Sequence, residues 1–378
     1  MQRTLLRLSF CLWMMTMACR KGDHIVPPVV TPVDSAKVDG YLGFYLLNEG
    51  NMGSNKSTLD YYDYTTGNYV KNIYATINPN MVKELGDVGN DIRIFGSKLY
   101  AVINVSNKVE VMDARTAKRI GQINIPNCRY LAFANGKAYV SSYAGPVVID
   151  PHAPIGYVAE VDTATLQVTR KVIVGYQPEE MAVVGNKLYV ANSGGYRAPN
   201  YDRTVSVIDL ETFTEIKKIE VAINLHHVKA DRHGDLYVSS RGDYYTVQPS
   251  LHIIDTQTDR VKKSLPLATS NLWMHGDTAY VYGSAFSYNT HEWTISYNML
   301  DLKTETLLPG SFITDGTDKQ IKMPYGVAVH PVTGDIYVTD ARDYISPGTL
   351  YCLDKQGRKK WSVTTGDIPA HFAFLPAP

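Results

Sequence analysis

The chain of 378 residues carries 37 basic and 37 acidic side chains, so its formal net charge is zero. This balance, with no basic stripe along the chain, argues against a nucleic-acid-binding protein and against a polybasic membrane-binding patch. Tyrosine is abundant, at 27 residues against 9 Phe and 4 Trp, which favours a protein that uses large amphipathic rings for packing and contact.

The first 19 residues have the pattern of a targeting segment. Arg3 and Arg7 give a basic start, and residues 8–18 are mostly apolar but too short to span a bilayer. The segment ends in Thr-Met-Ala-Cys, which resembles the signal of bacterial lipoproteins, in which the cysteine is lipidated and becomes the first mature residue. We therefore predict a signal peptide that ends at a lipidated Cys19, and a protein anchored in the outer membrane.

Residues 20–39 are expected to form a flexible tether, since they contain three prolines and no periodic apolar pattern. Basic residues follow Cys19 directly, whereas surface lipoproteins of Bacteroidetes often carry acidic residues there. We predict exposure on the cell surface, but this departure leaves the periplasmic leaflet open as an alternative. A single folded domain is predicted over residues 40–378.

Within that domain a short pattern of an apolar residue, a tyrosine and another apolar residue recurs seven times. The tyrosines are Tyr45, Tyr100, Tyr139, Tyr189, Tyr237, Tyr280 and Tyr337. Their spacings of 55, 39, 50, 48, 43 and 57 residues are typical of a β-propeller with four strands per blade. The predicted fold class is therefore all-β, a seven-bladed β-propeller, and the repeat tyrosines are expected to pack between blades.

The clearest repeat spans residues 181–221 and alternates apolar and polar residues in its third and fourth strands. Its third strand ends in an aspartate, and the same position recurs at Asp113, Asp162, Asp209, Asp255 and Asp354. An aspartate at a strand end commonly accepts hydrogen bonds from the backbone of the following turn. We interpret these aspartates as turn residues and not as catalytic ones.

The two ends of the domain each supply what the other lacks. Residues 44–47 form a second strand with no first strand before it, and residues 371–375 form a first strand with no second strand after it. Pairing of these N- and C-terminal strands would complete blade one and close the ring without an open edge.

The loops between second and third strands vary greatly in length, whereas the first-to-second turns are short. Such variation on one face indicates a specialised surface on a uniform scaffold. The aromatic and arginine side chains of this face are candidate ligand contacts, although any one ring could instead pack its loop onto the blades. They are Tyr143, Tyr196, Arg197, Tyr201, Arg203, Arg241, Tyr244, Tyr245, Phe286, Tyr288, Trp293, Arg342 and Tyr344.

A second candidate set lies where the first strands begin, around the expected mouth of the central channel. Aligned repeats place Asp91, Tyr130, Glu180, His227, Asn271, Gly326 and His371 there. His226 and His227 are adjacent, and adjacent strand residues are expected to point to opposite faces, so a shared metal is not expected.

Cysteine usage and motifs limit the possible chemistry. Cys11 leaves with the signal and Cys19 is lipidated, while Cys128 and Cys352 occupy expected core positions, so a disulfide is not expected. No nucleophile elbow, phosphate-binding glycine loop, zincin helix or paired-cysteine motif is present. We therefore do not expect an enzyme, but a lyase or dehydrogenase that assembles its site from scattered channel residues stays an alternative.

The repeat pattern, with its Val-x-Val-Ile-Asp third strand, resembles the YncE-like propellers over the whole mature domain. Two segments, residues 46–51 and 57–63, resemble the start of a group of secreted propellers of Bacteroidetes. The lipidated single-propeller organisation is similar to the BtuG-type surface lipoproteins.

That resemblance implies a protein that binds cobalamin or another corrinoid outside the cell. The ligand would then pass to a TonB-dependent outer-membrane transporter, and no built-in cofactor or metal is implied. The alternative is a surface propeller that binds glycan or protein through the same aromatic side chains.

Overall fold

Seven β-sheets form a ring in the computed structural model, which describes residues 27–33, 38–82 and 84–378. Six sheets have four antiparallel strands and one has five, so the predicted seven-bladed all-β propeller is confirmed. The expected signal peptide and Cys19 lie outside the described residues. Among the described residues, no helix is long and apolar enough to cross a membrane.

In each blade the innermost strand lines the channel and the outermost strand lies at the rim. From the channel outward, blade one contains β29 (Pro369–Pro376), β2 (Tyr41–Asn48), β3 (Thr58–Asp63), β4 (Asn68–Lys71) and β1 (Val29–Pro32). In the same direction, blade two contains β5 (Gly89–Phe95), β6 (Lys98–Ile103), β7 (Lys108–Asp113) and β8 (Arg119–Asn124). Blade three contains β9 (Cys128–Ala134), β10 (Lys137–Ser142), β11 (Ile155–Asp162) and β12 (Val168–Tyr176).

Blade four contains β13 (Pro178–Val184), β14 (Lys187–Asn192), β15 (Thr204–Asp209) and β16 (Thr214–Glu220). Blade five contains β17 (Leu225–Ala230), β18 (Asp235–Ser240), β19 (Ser250–Asp255) and β20 (Arg260–Leu265). Blade six contains β21 (Asn271–His275), β22 (Thr278–Ser287), β23 (Glu292–Asp301) and β24 (Thr306–Leu308). Blade seven contains β25 (Pro324–Val329), β26 (Ile336–Asp340), β27 (Pro347–Leu353) and β28 (Lys359–Asp367). Short helical turns, α1 (Ile73–Ile77) and a 3-10 turn (Thr317–Gln320), lie between blades.

The repeat tyrosines pack each blade against the next one. Tyr100 of blade two lies in one apolar cluster with Leu131 and Val140 of blade three, and Tyr189 of blade four contacts the cluster that contains Val228 of blade five. Six of the seven repeat tyrosines are buried, and Tyr280 is partly buried. The role predicted for them is confirmed, because each ring fills the space between two twisted sheets.

Ring closure occurs as predicted, by antiparallel pairing of β2 with β29. Phe44 pairs with Phe374 and Leu46 with Phe372, and these side chains join an aromatic cluster with Tyr337 of blade seven. The ring centroids of Phe44 and Tyr337 are 4.8 Å apart. The closing blade therefore holds the two ends of the domain together through both the backbone ladder and the core.

The aspartates that end the third strands act as turn residues. In blade two, Asp113 Oδ1 accepts hydrogen bonds from the backbone N–H groups of Arg115 and Thr116. In blade four, Asp209 does the same for Glu211 and Thr212. This interpretation from the sequence is confirmed, since the carboxylate replaces backbone acceptors in each turn.

The segment expected as a tether contains a strand, which corrects that expectation. β1 pairs with β4 as a fifth, outermost strand of blade one. Val29, Val30 and Thr31 are β-branched and suit an extended strand, and Pro32 lacks a donor but stands at the sheet edge, where none is needed.

Both remaining cysteines are buried, in line with the expectation that they are core residues. Cys128 begins β9 and its Sγ lies 3.3 Å from the carbonyl of Lys108, while Cys352 lies in β27. They belong to different apolar clusters, so the structure contains no disulfide among the described residues.

Most of the inner strands contain a β-bulge near their first residue. The register shifts at the start of the inner strand in every blade except blade six, so that an extra residue is inserted opposite the second strand. In blades three, five and seven the freed N–H donates to a hydroxyl of the second strand, at 3.1, 2.9 and 2.7 Å for Ser141, Ser239 and Thr339. Such bulges turn consecutive side chains toward the same side, which in this ring is the channel.

Removal of β29 is expected to prevent folding, whereas removal of β1 is not. A chain that ends at residue 368 loses the inner strand of blade one and its aromatic core. A chain that begins at residue 38 loses only an exposed edge strand and should unfold within a few degrees of residues 20–378. Near-ultraviolet circular dichroism with thermal unfolding measures both, and equal behaviour of the two truncations would contradict the closure account.

Candidate ligand-binding face

The beginnings of the inner strands surround a narrow central cavity of about 30 Å³. Six side chains predicted for the channel line it: Asp91, Tyr130, Glu180, His227, Asn271 and His371. The seventh position, Gly326, lies against the carbonyl of Ala370, where a Cβ would come within 2.3 Å of the oxygen. The cavity has room for only a few water molecules, so a larger ligand would have to bind outside it.

The deeper polar side chains of the channel bind one another. Glu180 is 1% exposed, lies 2.9 Å from Arg93 and 2.8 Å from His227 Nδ1, and also contacts Lys229. Asp91 pairs with Arg93 at 3.2 Å. Burial alone would raise the pKa of Glu180, but Lys229, His227 and Arg93 lower it below its usual range. The two carboxylates and two cations balance, so this layer is a closed network that rigidifies the channel.

A second set of polar side chains lies at the end of the channel that faces the long loops. Glu179 is fully buried and accepts hydrogen bonds from Arg129 Nε at 3.1 Å, Arg241 Nη1 at 3.4 Å and Tyr143 Oη at 2.5 Å. Burial opposes ionisation of Glu179, but Arg129 and Arg241 lower its pKa below the usual value. We call Arg129, Glu179, Arg241, Tyr143 and His226 the mouth cluster.

The bulge in β17 overturns the expectation for the two adjacent histidines. The register shifts between Leu225 and Val228, and the rings of His226 and His227 lie side by side with centroids 3.8 Å apart. His226 Nε2 is 2.8 Å from Tyr130 Oη. Burial and the nearby Arg241 hold the pKa of His226 well below its ordinary value, so the ring is neutral near pH 7.

On the opposite side of the ring, blades one and seven contribute a separate acidic contact. Glu49, which follows β2, lies 2.9 Å from His371 Nε2 and accepts a hydrogen bond from Tyr325 Oη at 2.8 Å. No group of three or more His, Cys, Asp or Glu side chains with metal-binding geometry occurs within the described ranges.

The loops of blades five and six form an exposed group of rings. Tyr245 stacks on Tyr288 with ring centroids 5.0 Å apart. The ring centroids of Phe286 and Tyr288 are 5.1 Å apart, and those of Trp293 and Phe286 are 5.2 Å apart. Tyr244 lies 6.4 Å from Tyr288. We call these five residues the aromatic wall. Tyr245, Tyr288 and Trp293 are 53%, 48% and 47% exposed, which is unusual for such large side chains.

The blade-six part of the wall is carried by a hairpin and not by the loop expected from the sequence. β22 and β23 extend through residues 284–287 and 292–294, and only the turn between them is irregular. Alternation along this extension places Phe286 opposite Trp293 across the ladder. Two hydrogen bonds join the hairpin to blade five, from Tyr288 N to Tyr244 O and from Asn289 Nδ2 to Tyr245 O.

Three other loop candidates are held by internal contacts. Tyr143 is 1% exposed against Glu179 and Arg129, which corrects its expected place on the surface. The guanidinium carbon of Arg197 lies 3.5 Å from the centroid of the Tyr176 ring, and the guanidinium donates hydrogen bonds to two loop carbonyls. Arg203 pairs with Glu220 of the outermost strand of blade four and so points away from the channel.

The remaining loop candidates stay accessible at different points of the same face. Tyr196 lies 6.3 Å from Tyr143, and Tyr201 lies close to the aromatic wall, where burial and Tyr244 raise its pKa. On blade seven, Arg342 is exposed, and Tyr344 contacts Tyr325 at 5.9 Å. The structure therefore brings Tyr201 of blade four close to the candidates of blades five and six but leaves those of blade seven apart.

A larger cavity opens at the other end of the channel. It has a volume of about 320 Å³ and is lined mainly by apolar side chains of blades three to five, together with the charged side chains of Arg93, Glu180 and Lys229. The turns at this end are short and carry none of the candidate rings. The long loops and the larger cavity therefore lie at opposite ends of the channel.

Sequence reasoning missed Glu49 because this residue follows the second strand β2 and not an inner strand. It missed Arg129, Glu179 and His226 because strict alternation assigns one channel residue to the start of each inner strand. The bulges add a second one. A signal was available in Ser141, Ser239 and Thr339, since a hydroxyl at this position of the second strand satisfies the bulge N–H.

Fold and site together define a seven-bladed propeller with a polar, closed channel and an aromatic loop face. Residues 42–368 match the family described as Domain of unknown function (DUF5074), and the chain belongs to that family. No curated protein matches the sequence at a significant level.

Two solved structures match this chain. A hydrazine synthase of Kuenenia stuttgartiensis is 18% identical with a TM-score of 0.55, covering 71% of this chain and 76% of that chain. A protein of unknown function from Bacteroides caccae is 10% identical with a TM-score of 0.46, covering 88% and 98%. At these identities the likeness concerns the fold and carries no activity over.

Replacing Tyr143 by Phe is expected to lower the free energy of unfolding by about 2 kcal/mol, because buried Glu179 keeps its charge but loses a hydrogen bond. The matched control is Tyr196→Phe, on a partly exposed neighbouring ring, for which about 0.5 kcal/mol or less is expected. Urea unfolding measures both. Equal effects in the two variants would show that the Tyr143 hydroxyl does not stabilise the mouth cluster.

Proposed function

We propose that the protein is a lipid-anchored outer-membrane protein that binds cobalamin or a related corrinoid at the long-loop face and passes it to a TonB-dependent transporter. The observation that carries the proposal is the aromatic wall beside the mouth cluster. The resemblance of the expected lipidated single-propeller organisation to the BtuG-type lipoproteins supports the same choice of ligand.

The aromatic wall supplies apolar contact area to one side of a bound ligand. Tyr245, Tyr288 and Trp293 are large and exposed, and contacts with Phe286 and Tyr244 limit their freedom before binding. Preorganised rings give contact area at a low cost in side-chain entropy. A corrin ring is broad, with apolar edges that suit such a surface.

The polar residues beside the wall suit the remaining groups of a corrinoid, which carries many amide arms and a nucleotide tail. Amides need both donors and acceptors, and Tyr196, Tyr201 and Arg241 supply donors within the same face. Because the central cavity holds only about 30 Å³, the ligand would lie across the face and not inside the ring.

The short segment between Cys19 and β1 limits how far the propeller could lie from the transporter that would receive the ligand. If Cys19 is lipidated, residues 20–28 are all that separate the anchor from β1. Nine extended residues reach about 30 Å, so the outer edge of blade one would stay close to the membrane. That distance would keep the loop face within reach of a transporter in the same membrane.

A glycan-binding or protein-binding propeller is the second candidate, and the aromatic wall favours it too. The rings of Tyr245 and Tyr288 are nearly parallel, at 20°, and such flat exposed rings also stack on sugars. An enzyme would instead need a channel acid or histidine that is free to react, and Glu180 and His371 are held in internal contacts.

Residues 20–378 are expected to bind cyanocobalamin tightly, with one ligand per chain and a change in the visible spectrum. Tyr245→Ala and Trp293→Ala should each weaken binding by about tenfold or more, because each removes an exposed ring of the wall. The control is Ile216→Ala, which removes an equally exposed apolar side chain from the outermost strand of blade four.

Isothermal titration calorimetry with parallel absorbance spectra measures these affinities. Absence of heat and of a spectral change, with folded protein, would refute corrinoid binding. Binding to a glycan array that is lost in Trp293→Ala would then support the second candidate, and a turnover with a pH optimum lost on changing His371 would support an enzyme.

Lipidation is tested separately in cells. Cys19→Ala is expected to abolish incorporation of labelled palmitate and to release the protein from the outer-membrane fraction. Cys11→Ala is the matched control, since Cys11 lies in the same segment but is removed with the signal. Unlabelled wild-type protein, or equal labelling of both variants, would contradict an anchor at Cys19.

A further inference from the structure

We propose that the mouth cluster binds the phosphate group of a phosphate ester between the guanidinium groups of Arg129 and Arg241. The inference goes beyond corrinoid binding, because it concerns these residues alone and does not require a particular remainder of the ligand.

The first argument is the charge at the mouth. Both guanidiniums contact one carboxylate, that of Glu179, which leaves one positive charge over. Asp91 and Glu180 are engaged with Arg93 and Lys229 in the deeper layer, and Glu49 is held by His371 on the other side of the ring. A site that is partly shielded from water and carries excess positive charge favours an anion.

The second argument is the number of donors that remain. Arg129 uses Nε for Glu179 and stacks over Tyr143 at 4.7 Å, so no hydrogen bond to the described residues occupies its two Nη groups. Arg241 contributes only Nη1, at a long 3.4 Å. Their side chains are 11% and 28% exposed, so the donors are held in fixed positions but reachable. Arginine donors in this state are suited to phosphate oxygens.

The third argument is the neutral character of the surroundings. Burial raises the pKa of Tyr130 and Tyr143 well above the ordinary value, so both phenols stay protonated. His226 is neutral, with Nε2 held by Tyr130. The neighbours therefore add hydrogen-bonding capacity without a second negative charge that would repel a phosphate.

The test uses phosphate esters without a corrinoid. Residues 20–378 are titrated with inorganic phosphate and with ribose 5-phosphate, and binding is followed by phosphorus NMR and calorimetry at low salt. Saturable binding is expected, with about tenfold or greater weakening in Arg241→Gln. Arg203→Gln is the matched control, because it removes the same charge from an exposed pair with Glu220 on the same face.

Arg241→Lys keeps the charge but loses the planar guanidinium fork, so we expect a phosphate affinity between those of the wild-type protein and Arg241→Gln. If Arg241→Gln does not fold, Arg241→Lys replaces it in the test. No binding by folded wild-type protein, or equal weakening in Arg241→Gln and Arg203→Gln, would overturn the proposal.

Cyanocobalamin binding by wild-type protein is measured alongside. Phosphate binding without cobalamin binding would refute only the corrinoid proposal, and the reverse result would refute only the phosphate site.

Discussion

Each blade of this propeller depends on its neighbour to bury the tyrosine of its second strand. Tyr45, Tyr100 and Tyr189 all lie in apolar clusters that join residues of their own blade to residues of the following blade. A blade alone would expose these rings, so the stabilising unit is the interface between blades and not the single sheet. The same requirement makes closure necessary, because an open ring would leave one blade without a partner.

Closure also determines the chemistry of the channel. The inner strands bring Asp91, Glu180, His227 and His371 together around one small cavity, beside Trp273 and Phe372. Glu179 and Glu180 are tolerated there because cations and hydroxyls satisfy them from blades two, three and five. Buried carboxylates would otherwise be very costly, so the channel polar groups are part of the fold as well as of the candidate site.

The repeat pattern is sufficient to predict the architecture, since a tyrosine at a period of 39–57 residues and complementary ends leave few alternatives to a closed ring. It cannot predict the bulges, because alternation counts residues and cannot detect an inserted one. For that reason it places His226 and His227 on opposite faces, although their rings lie 3.8 Å apart. β1 could not be predicted for a different reason. Three prolines nearby indicate a linker, and the strand is stabilised only by its pairing with the free edge of β4, which the local sequence does not reveal.

The candidate face combines two kinds of surface that answer different demands. The aromatic wall is formed by the projecting hairpin of blade six and a loop of blade five, and contacts among its rings hold this apolar surface in place before binding. The mouth cluster is fixed by the closed ring and by a shared buried carboxylate, so its donors keep their positions. A ligand with a broad apolar part and a compact anionic part would engage both, each surface contributing what the other lacks. Glycans without a charged group would use only the wall, and inorganic phosphate only the mouth cluster. The relative affinities for these partial ligands therefore report which surface carries recognition.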